Sequence, residues 1–264
     1  MISIVIPTYN DDERLNLVLW GLTQQTNKDF TTVIVNDGGS DDTEELLLSY
    51  RYKLKYKYVY LGPPSEEYRP SKARNLGIAA CNTDRVIFID CDVIPLNNLV
   101  ETHAAFNHND VIGVGVRSRI KMPRIKVLTT MMKQGILNYE KVIFHSYITD
   151  ERIREDKYSD TFNALAYPSV LTWDFHCQVE HACLCHSTNI SYSLETLIKL
   201  DGFSEDYTGI LHGEDHDLAI RALKRGCGVV SRPQCVVYHL DHEPRAKHDY
   251  PKMLALLERA RQSG

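Results

Sequence analysis

The sequence predicts an α/β protein built on an open, mainly parallel sheet with helices on its faces. Three observations carry this expectation. The apolar run Ile2-Ser3-Ile4-Val5-Ile6 precedes a helical pattern, and Thr31–Asn36 precedes another, so strand–helix–strand–helix is complete within fifty residues. Both strand ends are polar, at Thr8-Tyr9-Asn10 and Asn36-Asp37-Gly38, and open α/β sheets bind ligands beyond the carboxyl ends of their strands. A third short apolar strand, Arg85–Ile89, runs straight into Asp90-Cys91-Asp92. One-residue spacing lets both carboxylates approach a single hard divalent cation, which prefers oxygen ligands and shares its shell with phosphates.

Composition is that of an ordinary water-exposed chain: 264 residues, 43% hydrophobic and 25% charged, enough for one large domain or two small ones. A formal net charge of −5 supplies no basic field for nucleic acid or an anionic membrane. Seven cysteines, an odd number, do not suggest a disulfide scaffold and favour a reduced, cytoplasmic setting. No leader pattern precedes Ile2, and no apolar run reaches the roughly 18 residues of a spanning helix. Peripheral membrane contact stays open. Repeats, low-complexity tracts and Pro/Gly/Ser linkers are not visible.

Along the chain, Pro7 is expected to stop the first strand, and Asn10 stands three residues before Glu13 at capping-box spacing. Leu15, Val18, Leu19 and Leu22 then mark a helix to about Gln25. Asp37–Asp42 is a turn that opens a helix from about Thr43 to Tyr50. Arg51–Tyr60 alternates tyrosines with lysines. Such interleaving occurs in nucleic-acid binders, but a half-buried third strand explains it as well. Gly62–Pro70 reads as a loop, Ser71 to about Cys81 as a helix, Asn98–Phe106 as another, and Val111–Val116 as a strand. Arg117–Ser159 has helical periods near Val127–Leu137 and no chemistry that its residues reveal.

His176, Cys177, His181, Cys183, Cys185 and His186 form a knot of soft ligands. Cys-x-Cys is not a usual zinc-finger spacing, and a strand with incidental thiols is the plainer reading. Asn189–Ser193 leads to a helix over Leu194–Leu200, and Phe203–Leu211 is a loop. From Glu214 a helix runs to Arg225, with Leu218, Ala219, Ala222 and Leu223 as its buried stripe. Glu214 and Asp215 thus occupy a first turn, where acids also occur for dipole reasons alone. Val229–Val230 and Gln234–Tyr238 look like short strands delivering His239-Leu240-Asp241-His242, and a last helix covers about Tyr250–Arg261.

Together these segments resemble the family-2 glycosyltransferases of the GT-A fold. The resemblance rests on Ile4–Asn10, Val35–Ser40, Ala73–Gly77 and Ile89–Asp92, in that family's order. Gly202–Glu205, Gly213–Leu218 and His239-x-x-His242 are similar to the acceptor-side region of family-2 polymerases such as chondroitin polymerase, polypeptide GalNAc-transferases and β-1,4-galactosyltransferases. The resemblance implies one Rossmann-like GT-A domain over 1–264, with a mainly parallel central sheet and a smaller acceptor-side sheet. Residues 1–116 would be the nucleotide-sugar half and 117–264 the acceptor half.

It also implies roles. Pro7, Thr8, Tyr9 and Asn10 would line the nucleotide, with Asp37 on uracil or ribose, Arg74 near base and phosphates, and Asp90 on the ribose side. Asp92 would bind Mn²⁺ or Mg²⁺ bridging the diphosphate, with His239 as second protein ligand and His242 a further candidate. Asp215 would be the general base, and Glu214 would orient acceptor or base. The implied activity moves one sugar from a UDP-sugar to an acceptor hydroxyl with inversion: a metal offsets leaving-group charge, and one carboxylate serves the nucleophile. Two departures matter. Tyr207–His212 stands where the galactosyltransferases carry a Trp-rich loop, and the membrane helices and Gln/Arg-x-x-Arg/Lys-Trp motif of processive members are absent. Alternatives are a sugar nucleotidyltransferase, which usually carries a Gly-rich loop that Pro7-Thr8-Tyr9-Asn10 is not, and a non-catalytic nucleotide-sugar binder.

Overall fold

The computed structural model describes residues 1–40, 42–106, 108–145, 182, 185–243 and 249–262. Its strands are β1 (Ile2–Thr8), β2 (Phe30–Asn36), β3 (Tyr56–Tyr60), β4 (Arg85–Phe88), β5 (Val93–Pro95), β6 (Val111–Ile120), β7 (Ile190–Ser193) and β8 (Gly228–Leu240). Its helices are α1 (Asp12–Thr23), α2 (Thr43–Tyr50), α3 (Pro70–Ala79), α4 (Leu99–Ala104), α5 (Met122–Lys133), α6 (Tyr139–His145), α7 (Leu194–Lys199), α8 (Glu214–Lys224) and α9 (Tyr250–Gln262).

Among the described residues the strands form one eight-stranded sheet in the order β3-β2-β1-β4-β7-β6-β8-β5. Six strands run in one direction, and β7 and β5 run against them. A smaller acceptor-side sheet was expected beside the central one. The later strands instead continue the central sheet: β7 is inserted between β4 and β6, while β5 lies beyond β8.

Central strands buried on both faces need apolar residues at every position, and β1 shows the result. Ile4 and Ile6 pack with Leu15, Val18 and Leu47 of α1 and α2, whereas Val5 joins Ala73 of α3, Leu197 of α7 and Leu218 of α8. The helix α3 lies very close to β1: a Cβ on Gly77 would stand 2.4 Å from Val5 Cγ1. That contact holds the helix that carries Arg74. No helix among the described residues is long and apolar enough to cross a membrane.

Several local expectations give way to tertiary context. Pro7 does not stop β1, which pairs through Thr8 with Asn36. Its missing N–H falls on the β4 side, where pairing with β1 has already ended at Val5, so no ladder bond is lost. Asn10 forms no capping box. Asp11 is the N-cap of α1, and Asn10, at φ 49°, accepts a hydrogen bond from the Ser40 N–H at 2.8 Å. Only Tyr56–Tyr60 of the tyrosine–lysine stretch is strand. The two short strands before His239 are one, β8, whose register against β6 shifts between Val114 and Val116. The strand β6 continues to Ile120, and β5 and α6 were not foreseen. Of the histidine–cysteine knot, His176, Cys177, His181 and Cys183 lie outside the described residues; Cys185 is buried, in no disulfide and not in a strand.

Candidate functional site

Because β1, β2 and β4 run parallel, their carboxyl ends lie on one edge of the sheet, and a cleft of about 710 Å³ opens there. All twelve residues to which the resemblance assigns roles line it: Pro7, Thr8, Tyr9 and Asn10 after β1, Asp37 after β2, Arg74 on α3, Asp90 and Asp92 after β4, Glu214 and Asp215 on α8, His239 on β8 and His242 beyond it. Thr8 is buried, and its Oγ1 makes no hydrogen bond among the described residues, so it is open to a polar ligand.

Asp37 is held by Arg69, whose Nη2 lies 2.8 Å from Oδ1. Burial nevertheless raises its carboxyl above the ordinary value, with Arg69 and Lys72 opposing. Arg74 was expected beside base and phosphates. It is only 4% exposed and donates from Nη1 to Glu214 Oε1 (2.8 Å) and from Nη2 to Asp90 Oδ1 (2.9 Å). Burial opposes its charge, but Asp90 and Glu214 hold it above the usual range. Arg74 is thus a buried strut between the end of β4 and the start of α8.

Asp92 gathers two histidines. His242 Nε2 lies 2.7 Å from Asp92 Oδ2, and His239 Nε2 lies 3.7 Å from the same oxygen. The His242 imidazole also donates to the Glu243 carbonyl at 2.7 Å, and the Asp92 hydrogen bond raises it above its ordinary value against burial. One ligand atom from each of Asp92, His239 and His242 falls within 4.8 Å of the others. The sequence favoured His239 over His242; the geometry brings in both.

The acid pair enters the cleft through a strained turn. His212 has φ 71° and Gly213 φ 112°, and a Cβ at Gly213 would come within 2.7 Å of the Tyr207 ring. Only glycine suits that position, and the turn aims the first residues of α8 inward. Glu214 is buried, with Oε1 on Arg74 and Oε2 without a hydrogen bond among the described residues. Burial raises its carboxyl, with Asp215 adding and Arg74 opposing. Asp215 accepts from the His216 N–H (2.8 Å) and the Ser187 N–H (3.2 Å). Burial works against its charge, but His216, His186, Arg74 and His212 outweigh it and hold the carboxyl below its usual value. Asp217 in the same turn is structural, paired with Arg221 at 2.6 Å.

Residues the sequence did not single out also line the cleft, among them Tyr68, Arg117, Arg119, Ser187 and Thr188, and His186 of the histidine–cysteine knot joins them. The alternation Val116-Arg117-Ser118-Arg119-Ile120 was a readable strand signal for two of them. Ser187 and Thr188 carry buried hydroxyls without partners among the described residues, and nothing in their sequence context marks them.

The family model described as glycosyl transferase family 2 matches residues 3–167. Chondroitin synthase of Escherichia coli is 25% identical over 260 residues, covering 94% of this chain and 35% of that protein. Validoxylamine A glucosyltransferase of Streptomyces hygroscopicus subsp. limoneus is 28% identical over 240 residues, covering 86% of this chain and 48% of that one. The chain therefore spans between a third and a half of these relatives' length. Among solved structures, Staphylococcus aureus TarS 1–349 in complex with UDP-GlcNAc is similar in fold, with a TM-score of 0.67 at 18% identity. The match covers 98% of this chain and 66% of that one. The mannosyltransferase PcManGT from Pyrobaculum calidifontis, in complex with GDP-Man and Mn²⁺, gives 0.63 at 15% identity, covering 100% and 64%.

Proposed function

The chain belongs to glycosyl transferase family 2, and from that premise we propose that it moves a single sugar from a UDP-sugar to an acceptor hydroxyl with inversion. One observation carries the reading. A single cleft holds a cation-type donor set at the ends of β4 and β8 and, apart from it, a carboxylate pair at the start of α8. We read residues 1–116 as mainly the donor half and 117–264 as mainly the acceptor half of one domain.

The charges of the cleft favour a cation. Eight carboxylates line it against three arginines, and one of these, Arg74, is spent between Asp90 and Glu214. A nucleoside diphosphate entering such a field needs a divalent ion. The donors fit one: an aspartate oxygen and two imidazole nitrogens, from Asp92, His239 and His242, suit Mn²⁺ better than Mg²⁺ because manganese tolerates nitrogen ligands. When bound, that ion stabilises the charge of the departing diphosphate.

The chain's own residues do the rest. Thr8, Tyr9, Asn10 and Asp37 enclose the nucleoside, and Asp90, held by Arg74, meets the ribose. Asp215 stays ionised at neutral pH and accepts the proton of the attacking hydroxyl. The Oε2 of Glu214 takes a second acceptor hydroxyl and orients it. One displacement with one base inverts the anomeric centre, and no carboxylate nucleophile is needed. A second reading exchanges the two acids: the raised carboxyl of Glu214 is the stronger base. Asp215→Asn and Glu214→Gln, compared in single turnover, separate the two.

The activity itself is tested by incubating the chain with a panel of UDP-sugars and Mn²⁺ and measuring released UDP. Metal-dependent release with one donor supports the reading. No release with any nucleotide sugar, together with no UDP binding, refutes it.

A further inference from the structure

We propose that His186, Asp215 and His216 form a second cation site, suited to zinc, whose filling blocks the carboxylate that accepts the acceptor's proton. The cation site stands on geometry alone; its inhibitory effect rests on the reading of Asp215 as base.

One ligand atom from each of the three residues lies within 4.8 Å of the others. His186 Nδ1 stands 3.7 Å from Asp215 Oδ2, and the His186 and His216 rings lie 4.9 Å apart at 65°. Ligands at the usual zinc distances of about 2.0–2.1 Å occupy tetrahedron corners about 3.3 Å apart. The His186–Asp215 pair is within a few tenths of an ångström of that separation, so small side-chain rotations suffice.

The carboxylate is oriented for this role. Its two oxygens each accept one backbone N–H, from His216 and from Ser187. Those bonds fix the Asp215 side chain as outer-shell partners fix a metal ligand, and each oxygen keeps a second lone pair. The Ser187 bond also ties the segment that bears His186 to the first turn of α8. His186 and Asp215 both line the cleft, so a ligand in the cleft can reach an ion held between them.

The donor types select the metal. Two imidazoles and one carboxylate with an open position are a zinc set. The Asp92–His239–His242 set has the same donors but faces the cleft where the diphosphate is expected to add oxygens and satisfy manganese. At His186–Asp215–His216 no phosphate is expected, and zinc outranks manganese at nitrogen-rich sites. A zinc ion there occupies the lone pair that the acceptor's proton would use.

Isothermal titration of the whole chain with Zn²⁺ alone tests the site. The wild type is expected to take two ions, and Asp92→Asn, His186→Gln and His216→Gln one each, with melting curves confirming that every variant folds. In the presence of Mn²⁺ and donor, zinc should inhibit wild-type UDP release, and His186→Gln should raise the half-inhibiting concentration more than about tenfold, since even outer-shell losses cost 10–100-fold in metal affinity. Unchanged stoichiometry and inhibition in both folded histidine variants overturns the proposal. Zinc bound in a His186-dependent manner without inhibition upholds the site but removes Asp215 from the role of base.

Discussion

Replacing Arg74 by methionine keeps most of the side-chain volume and removes the charge that joins Asp90 to Glu214. The guanidinium is 4% exposed, and its partners' side chains are 25% and 6% exposed. Removing one partner of a buried ion pair costs about 3–5 kcal/mol, because the other charge stays buried without compensation. The partial exposure of Asp90 relieves its share, so the lower end, about 3 kcal/mol, is expected near neutral pH. The loss should depend on pH. Glu214 already has a raised carboxyl, and losing Arg74 removes an influence that lowers it. A group whose folded pKa lies above its unfolded value contributes stability at low pH and loses it as pH rises through the folded value. The deficit of Arg74→Met against wild type should therefore be smaller at pH 5 than at pH 8. Urea denaturation at both values measures it. A deficit below about 1 kcal/mol, the same at both, would refute the buried-strut account.

Three further outcomes are expected. Asp92→Asn keeps the fold, and calorimetry should show metal-dependent UDP binding lost; EDTA-insensitive UDP binding in the wild type contradicts the cation set. His239→Ala and His242→Ala should each weaken metal-dependent UDP binding, and a loss at only one reduces the set to two protein ligands. His103 is buried, with Nδ1 on Ser191 Oγ (2.8 Å) and Nε2 on Asn189 Oδ1 (3.0 Å), beside Arg85. Burial lowers its pKa from 6.5 to about 4, so about 3 kcal/mol of stability present above pH 6.5 should be lost as pH falls toward 4. His103→Gln should flatten that part of the stability profile seen by urea denaturation, and an unchanged profile assigns it elsewhere.

The fold was legible where one residue pattern admits one structure. The double-sided burial of β1, β2 and β4 appears in the sequence as continuous apolar runs, and the polar residues beyond them fall on the cleft edge. The candidate site was legible because its acids and histidines stand at strand ends and at a helix start. What stayed hidden depends on partners distant in sequence. Nothing near Arg74 in the sequence announces that Glu214, far along the chain, takes one of its nitrogens. Pro7 looks like a strand terminator until the end of the β4 pairing shows that its missing donor is not needed. His186 looked like part of a thiol–imidazole knot, and only the fold sets it against Asp215. No local pattern distinguishes His242 from His239; the loop after β8 brings the former to 2.7 Å from Asp92.

The central claim, that this cleft transfers sugar with Asp215 as the base, meets its most direct test in one variant. Single-turnover UDP release by Asp215→Asn, with the donor identified by the screen and its Mn²⁺–UDP affinity measured alongside, should be slower by about 10²–10⁴ while that affinity stays near wild type. A well-folded Asp215→Asn that turns over at the wild-type rate would contradict the account.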